Sequence, residues 1–333
     1  MKNHYLFHLA LLAMSVFVLI PGVSFAQQAN PSGGWYKYEG NPVLGNKDLG
    51  TCFDVNVISQ GPSLYNMYFS WRPQESIAIT YSENGTTWTE PEIVLPPDKK
   101  SGWEDIINRT CTLYWNGQYH MWYTGQARGY SKIGYAVSDD GTHFTRVQKY
   151  PVMVPQYNYE GFSVMNPYVI RDEERGVFRM YYASGETIEP NVICVAESVD
   201  GINWERSPLN PIFIHGSSDE WDQDRVGGCE VHRCMVGGEL KWVLFYIGYS
   251  DINTAAIGCA VSDDGLTGWE RMPYNPIACP DPGTWDADSC YKPTVTVDVA
   301  NGRYLLWYNG RRGGDEYIGL VIHDGLDLAE KRP

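Results

Sequence analysis

The sequence predicts an all-β fold, a five-bladed β-propeller with four antiparallel strands per blade, on three observations. A turn cassette recurs: SENGTTW at Ser82, SDDGTHF at Ser138, SVDGINW at Ser198, SDDGLTGW at Ser262 and a shortened HDG at His323. Each is preceded by an aromatic, apolar run of strand length: YNMYFSW at Tyr65, YHMWYTG at Tyr119, FRMYYAS at Phe178, WVLFYIG at Trp242 and YLLWYNG at Tyr304. No stretch of the mature chain carries a helical period. Self-similarity at roughly 55–65 residues marks a repeated unit of architecture.

The elements follow in order. Residues 1–26 have the pattern of a secretory signal: Lys2 and His4, an apolar run from Leu9 to Ile20, then Ser24-Phe25-Ala26 as a cleavage site. The apolar run is too short to span a bilayer, so the mature protein is expected in the periplasm or outside the cell, without a membrane anchor. Within each repeat a first strand precedes the aromatic run: FDVNVI at Phe53, NRTCTLY at Asn108, MNPYVI at Met165, CEVHRCMV at Cys229 and YKPTVTV at Tyr291. Tight turns such as Asn116-Gly117 and Asn301-Gly302 join the two. A third strand follows (IAITYS, IGYAVS, ICVAES, IGCAVS, IGLVIH), and the cassette leads to an outer strand that contains Pro, which edges tolerate. The same short step separates Phe144 from Pro151, Trp204 from Pro211, Trp269 from Pro276 and Trp35 from Pro42. The last repeat lacks an outer strand of its own. Residues 35–43 are therefore expected to supply it and close the ring, removing an open sheet edge. One domain, residues 27–333, results.

Composition narrows the function. The formal charge of −15 and the lack of a basic run disfavour nucleic acid as a partner. Twelve Trp and 24 Tyr suit strands and sugar-facing clefts alike. Eight cysteines contain no CxxC pair, most sit in apolar runs, and no disulfide connectivity is readable. No metal or other cofactor is expected; a channel calcium beside His232 has no ligand spacing to support it. A monomer is expected.

Topology sorts the two faces. The cassettes fall on one face, where Asp caps a turn and Trp packs between strands. The other face holds the loops entering each first strand, together with Trp71-Arg72, Gly125–Arg128, Gly185–Glu189, Tyr249–Asn253 and Arg311–Glu316. Loops on a rigid frame are the usual place for a site. On this face an aromatic–acid pair recurs: Trp103-Glu104, Tyr159-Glu160, Trp221-Asp222 and Trp285-Asp286. Recurrence makes Glu104, Asp222 and Asp286 structural; Glu160, with Tyr before it and Gly after, stays open between structure and catalysis. Counted back from the second strand, Asn166, Glu230 and Lys292 share one position, with Arg109 and Asp54 or Asn56 close to it. A polar ring that differs in every blade is not what packing asks for, and buried charges need partners.

The blade count, the S-x-DG-x-x-W turns and the NPVL at Asn41 resemble the five-bladed propeller glycoside hydrolases, families 43, 62, 32, 68, 117, 130 and 137, over the whole mature chain. The resemblance implies a pair of carboxylates in the central funnel. Asp54, in Phe53-Asp54-Val55-Asn56, matches the first-blade base or nucleophile. Glu230, in Gly228-Cys229-Glu230-Val231, resembles the general acid, although it falls in the fourth blade; Glu160 is the third-blade alternative, and Glu160 with Glu230 a second pair. Arg109, Asn166, Lys292, Arg72 and Asp105 would bind sugar hydroxyls, and Trp71, Trp103, Trp221 and Trp285 would stack on sugar faces. The expected activity is hydrolysis of a plant or algal glycan, arabinofuranoside side chains included. A phosphorylase of the family 130 kind and a non-catalytic sugar-binding propeller are the alternatives.

Overall fold

The computed structural model describes residues 31–329; the expected signal peptide at 1–26 lies outside them. Strands dominate. The first, β1 (Trp35–Lys37), precedes four sequential sets. The first set is β2 (Cys52–Gly61), β3 (Leu64–Trp71), β4 (Ser76–Ser82) and β5 (Glu92–Leu95). The second is β6 (Ile106–Trp115), β7 (Gln118–Ala127), β8 (Tyr130–Ser138) and β9 (Thr145–Arg146). The third is β10 (Ser163–Asp172), β11 (Val177–Gly185), β12 (Pro190–Ser198) and β13 (Glu205–Arg206). The fourth is β14 (Arg225–Val236), β15 (Glu239–Asp251), β16 (Thr254–Ser262) and β17 (Glu270–Arg271). Three more strands follow, β18 (Ser289–Asp298), β19 (Arg303–Arg312) and β20 (Asp315–Asp324). Every consecutive pair within a set is antiparallel.

β1 runs antiparallel to β20, with Trp35 opposite His323 and Lys37 opposite Val321. Beyond β1 the contact continues: Val43 N–H donates to the Ile318 carbonyl at 2.8 Å. Asn41 bonds the Leu320 carbonyl and N–H through its side-chain amide. Asn210 does the same to Val195, and Asn275 to Cys259. The Asn of each Asn-Pro step thus clamps a third strand by replacing ladder bonds that the proline cannot make.

Two kinds of bond tie neighbouring sets together. In the cassettes, Asp140, Asp200 and Asp264 each accept two backbone N–H groups through Oδ1, which shapes the turn. The glycine carbonyl so exposed receives a buried aromatic donor from the preceding set: Tyr68 to Gly141, Trp122 to Gly201 and Tyr181 to Gly265. Trp307 of β19 donates in the same way to Gly85, beside the first set. Lower down, side chains of one first strand accept N–H groups of the next. Asn56 accepts from Thr112, Cys111 from Val169, Glu230 from Val295, and Thr294 of β18 from Val57 of β2.

A buried triad instead braces a set from within. Glu104, Glu160, Asp222 and Asp286 are each at most 1% exposed. Each accepts a second-strand tyrosine hydroxyl, from Tyr123, Tyr182, Tyr246 and Tyr308 respectively. Each also pairs with an outer-strand cation: Arg146, Arg206, Arg271 and Lys37. The surroundings of Glu160 match those of the other three acids. The aromatic partners are wedged against the second strands. Trp103 covers Gly125 and Gly134, where an added Cβ would come within 2.6 Å of the indole, and Trp221 and Trp285 cover Gly248 with Gly258 and Gly310 with Gly319 in the same way. Among the described residues the cysteines are unpaired, and all but Cys279 are buried.

Removing one member of a buried ion pair leaves the other uncompensated, at a cost of about 3–5 kcal/mol. Arg206→Met is expected to lower unfolding free energy by about that amount in a urea titration, because Arg206 and Glu160 are 7% and 0% exposed at the side chain.

Candidate active site

Each first strand is broken by a bulge at the same register: between Phe53 and Asn56, Asn108 and Cys111, Met165 and Tyr168, Val226 and Cys229, and Tyr291 and Thr294. The residue that opens the bulge is Asp54, Arg109, Asn166, Gly227 or Lys292. The four side-chain-bearing ones have φ of +52°, +53°, +51° and +42°. A left-handed conformation costs a non-glycine residue of order 1–2 kcal/mol. It persists here because the peptide N–H is held from the neighbouring set: Asp54 by Asn309 Oδ1, Arg109 by Ser70 Oγ and Asn166 by Thr124 Oγ1, at 3.1–3.2 Å. Strained residues gathered at one place are a sign of function. The register also corrects one expectation. Glu230 does not share the position of Asn166 and Lys292; Gly227 does, and Glu230 lies three residues further along β14.

Asp54, Arg109 and Asn166 open onto a cavity of about 540 Å³, which Arg72 and Asp105 also line. Arg109 Nε stands 3.7 Å from Asp54 Oδ2, an oxygen with no hydrogen-bond partner among the described residues. Lys292 does not line this cavity; it is 1% exposed, and its Nζ has no hydrogen-bond partner among the described residues.

Two carboxylates that sequence reasoning did not single out complete the wall. Glu316, near the start of β20, accepts from Arg72 Nη2 at 2.9 Å and from Asn309 Nδ2 at 3.0 Å. Burial pushes its carboxyl up to about 7, with Asp54 adding to the rise and Arg72, Arg311 and Arg109 opposing it. Glu189, beside β12, accepts from the Tyr249 hydroxyl at 2.6 Å. Burial raises it too, against Arg109 and the tyrosine bond. Arg128, Arg311, Tyr249 and Tyr291 join the lining. The one available signal was position: Glu189 and Glu316 both sit at the second-to-third-strand connection, on the face already marked out.

The remaining expected site residues lie elsewhere. Glu230 faces a second cavity of about 390 Å³ with Asn56, Tyr168 and His232. Its Oε2 accepts from Val295 N–H at 2.9 Å and stands 3.0 Å from His232 Nε2. Glu160 is fully buried in its triad. Trp103 is 4% exposed, lies over Tyr123 and donates to the Lys149 carbonyl. Trp221 packs on Tyr246 and Trp285 on Tyr308, while Trp71 donates to the Leu49 carbonyl. None of the four indoles lines the main cavity: Trp103, Trp221 and Trp285 are drawn into slots against paired glycines, and Trp71 is tied to Leu49. Among the described residues no cluster of three or more His, Cys, Asp or Glu side chains could hold a metal ion.

Residues 50–218 match the model of the glycosyl hydrolases family 32 N-terminal domain. The chain belongs to this family. The family 32 match covers the first three sets of strands, and so includes Asp54, Arg109, Asn166 and Glu189 but neither Glu230 nor Glu316. A 1,2-beta-oligomannan phosphorylase of Thermoanaerobacter sp. (strain X514) is 27% identical over 242 residues, 69% of this chain and 74% of that protein. An uncharacterised protein of Mycobacterium tuberculosis is 27% identical over 278 residues, 78% of this chain and 88% of its own length. Among solved structures, a thermostable family 43 glycoside hydrolase superposes with a TM-score of 0.66 at 20% identity, covering 86% of this chain and 91% of that one. A beta-1,2-mannobiose phosphorylase from Listeria innocua gives 0.65 at 13% identity, over 87% and 96%. The fold is thus that of the propeller glycosidases, all-β, and the fold family is one of enzymes acting on glycosides.

Lys292 combines backbone strain with a buried Nζ that has no hydrogen-bond partner among the described residues. Lys292→Gly is expected to raise the thermal denaturation midpoint by the equivalent of about 1–2 kcal/mol. Differential scanning calorimetry checks it.

Proposed function

We propose that the protein is a glycoside hydrolase whose five strand sets form one closed ring, residues 27–333, with Glu316 as general acid and Asp54 as base or nucleophile. The observation that carries this reading is the Glu316 carboxyl, raised to about 7 at a cavity that it shares with Asp54. Glycoside cleavage needs one carboxyl able to donate a proton to the leaving oxygen and a second to assist attack on the sugar. Two carboxyls in different environments meet that need. Arg109 and Asn166, held rigid by their bulges, would grip sugar hydroxyls, with Arg72 shielding Glu316 until substrate enters. Ring closure is supported by the bond from Val57 of β2 to Thr294 of β18, and by the place of β1 and Lys37 in the last set. Glu160 and Glu230 serve packing in this reading. The chain is read as an exported monomer, its first 26 residues removed, that acts on plant or algal glycans.

A second reading, phosphorolysis, is favoured by one observation: Arg72, Arg109, Arg128 and Arg311 all line the cavity. Sugar 1-phosphate formed only when inorganic phosphate is present would select it.

A general acid must be protonated in the free enzyme, so its protonated fraction falls tenfold per pH unit above its pKa. Wild-type kcat/KM on an oligosaccharide is therefore expected to decline above about pH 7. Glu316→Gln should remove that limb and lower kcat/KM by about 10²–10⁴. A nitrophenyl leaving group, which departs without protonation, should restore most of the loss. Equal losses on both substrates would reject Glu316 as the acid.

A further inference from the structure

The wall of the cavity facing the second and third strand sets is different in kind from the wall that carries Asp54 and Glu316. Ile106, Tyr130 and Ile188 line it, and they are 46%, 45% and 73% exposed. Phe162, 51% exposed, meets Tyr130 edge-on with ring centroids 5.9 Å apart. The pair forms an apolar step that leads outward from the cavity.

Both rings are held by backbone rather than by chance contact. Tyr130 follows Arg128 and Gly129, whose φ values of +54° and +78° make the tight hairpin turn between β7 and β8. Phe162 follows Gly161, which has φ +51° and ψ −115°, a combination that a side chain would not tolerate. A Cβ there would also lie 2.7 Å from the Gly185 carbonyl oxygen. Phe162 N–H donates to that same carbonyl at 2.9 Å, and its own carbonyl accepts from Ser131 N–H at 3.2 Å. Polar groups stand alongside. Gln126 lines the cavity and is fixed by Ser131 Oγ at 2.9 Å, and the Thr187 hydroxyl donates to the Gly129 carbonyl at 2.6 Å.

We infer that Tyr130 and Phe162 form a second sugar subsite, which takes the ring beyond the scissile bond on an oligosaccharide. A sugar ring has an apolar face of C–H groups and an equatorial rim of hydroxyls. It needs an aromatic surface with polar groups at its side, and a preorganised platform loses little entropy on binding. The subsite is continuous with the cavity, so a chain anchored at Asp54 and Glu316 reaches it by adding residues. The inference rests on the glycoside-cleaving reading above. It adds that the substrate is an oligosaccharide or longer glycan rather than a single glycosyl unit.

The test compares kcat/KM for manno-, xylo- and arabino-oligosaccharides of two to five residues with that for the matching nitrophenyl monoglycoside, in the presence and absence of inorganic phosphate. The readout is the ratio of oligosaccharide to monoglycoside. The wild-type ratio should climb with length, and Tyr130→Ala and Phe162→Ala should each cut it about tenfold, equivalent to ~1.4 kcal/mol. Phe162→Tyr, which keeps the ring, should retain it. A ratio that does not depend on length, or that survives both alanine variants, overturns the subsite and leaves the glycosidase reading intact. Failure to cleave, phosphorolyse or bind any of these sugars overturns both.

Discussion

A strand on the inner edge of a sheet has a row of N–H groups that no ladder satisfies, and burying them unpaired would cost about 1–3 kcal/mol each. The rest of this molecule depends on how that problem is solved. Asn56, Cys111, Glu230 and Thr294 each reach across to the backbone of the next first strand. Higher up, Ser70, Thr124 and Asn309 do the same for the residues that open the bulges. Inner strands from different sets can then pack together without sharing a ladder. The solution also explains why polar residues crowd the first strands without all being chemical. Glu230 lies one position further along its strand than Asn56, Cys111 and Thr294 do along theirs, yet its Oε2 makes the same kind of bond to the next strand.

The upper row of these bonds has a consequence for the site. By holding a backbone N–H from the side, it lets Asp54, Arg109 and Asn166 adopt a conformation that would otherwise be disfavoured. That conformation lifts each side chain out of the strand plane and into the cavity. The strain is borne by the frame, so the side chains arrive with little freedom left to lose. Charge does the remaining work. Glu316 and Glu189 are buried among arginines and a second carboxylate, and burial outweighs the arginines for both.

Much of the fold was legible because its signals are local and repeated. The aromatic runs at Tyr65, Tyr119, Phe178, Trp242 and Tyr304 all fall in second strands, and the Trp-to-Pro step led to the pairing of Trp35 with His323. The site was less legible, since its members come from separate sets and meet only in three dimensions. Asp54, Arg109 and Asn166 were found because the first strands can be aligned. Glu230 was misplaced because β14 and β15 (Arg225–Val236 and Glu239–Asp251) are longer than their counterparts, so counting back from the aromatic run stops short of the bulge at Gly227. Glu316 and Glu189 were passed over because hairpin acids look like ordinary solvated charges until the cavity closes around them. Trp103, Trp221 and Trp285 had the right chemistry for sugars, yet paired glycines on the neighbouring strands draw them inward.

Those slots decouple two things that many enzymes must trade against each other. Each one joins a Trp to two glycines and to a triad of acid, tyrosine and cation, and all of it lies behind the cavity wall. Selection for a stable scaffold therefore acts on one group of positions, and selection for a new sugar on another. The fold itself persists in chains that share only 13% or 20% of their residues with this one, at TM-scores of 0.65 and 0.66.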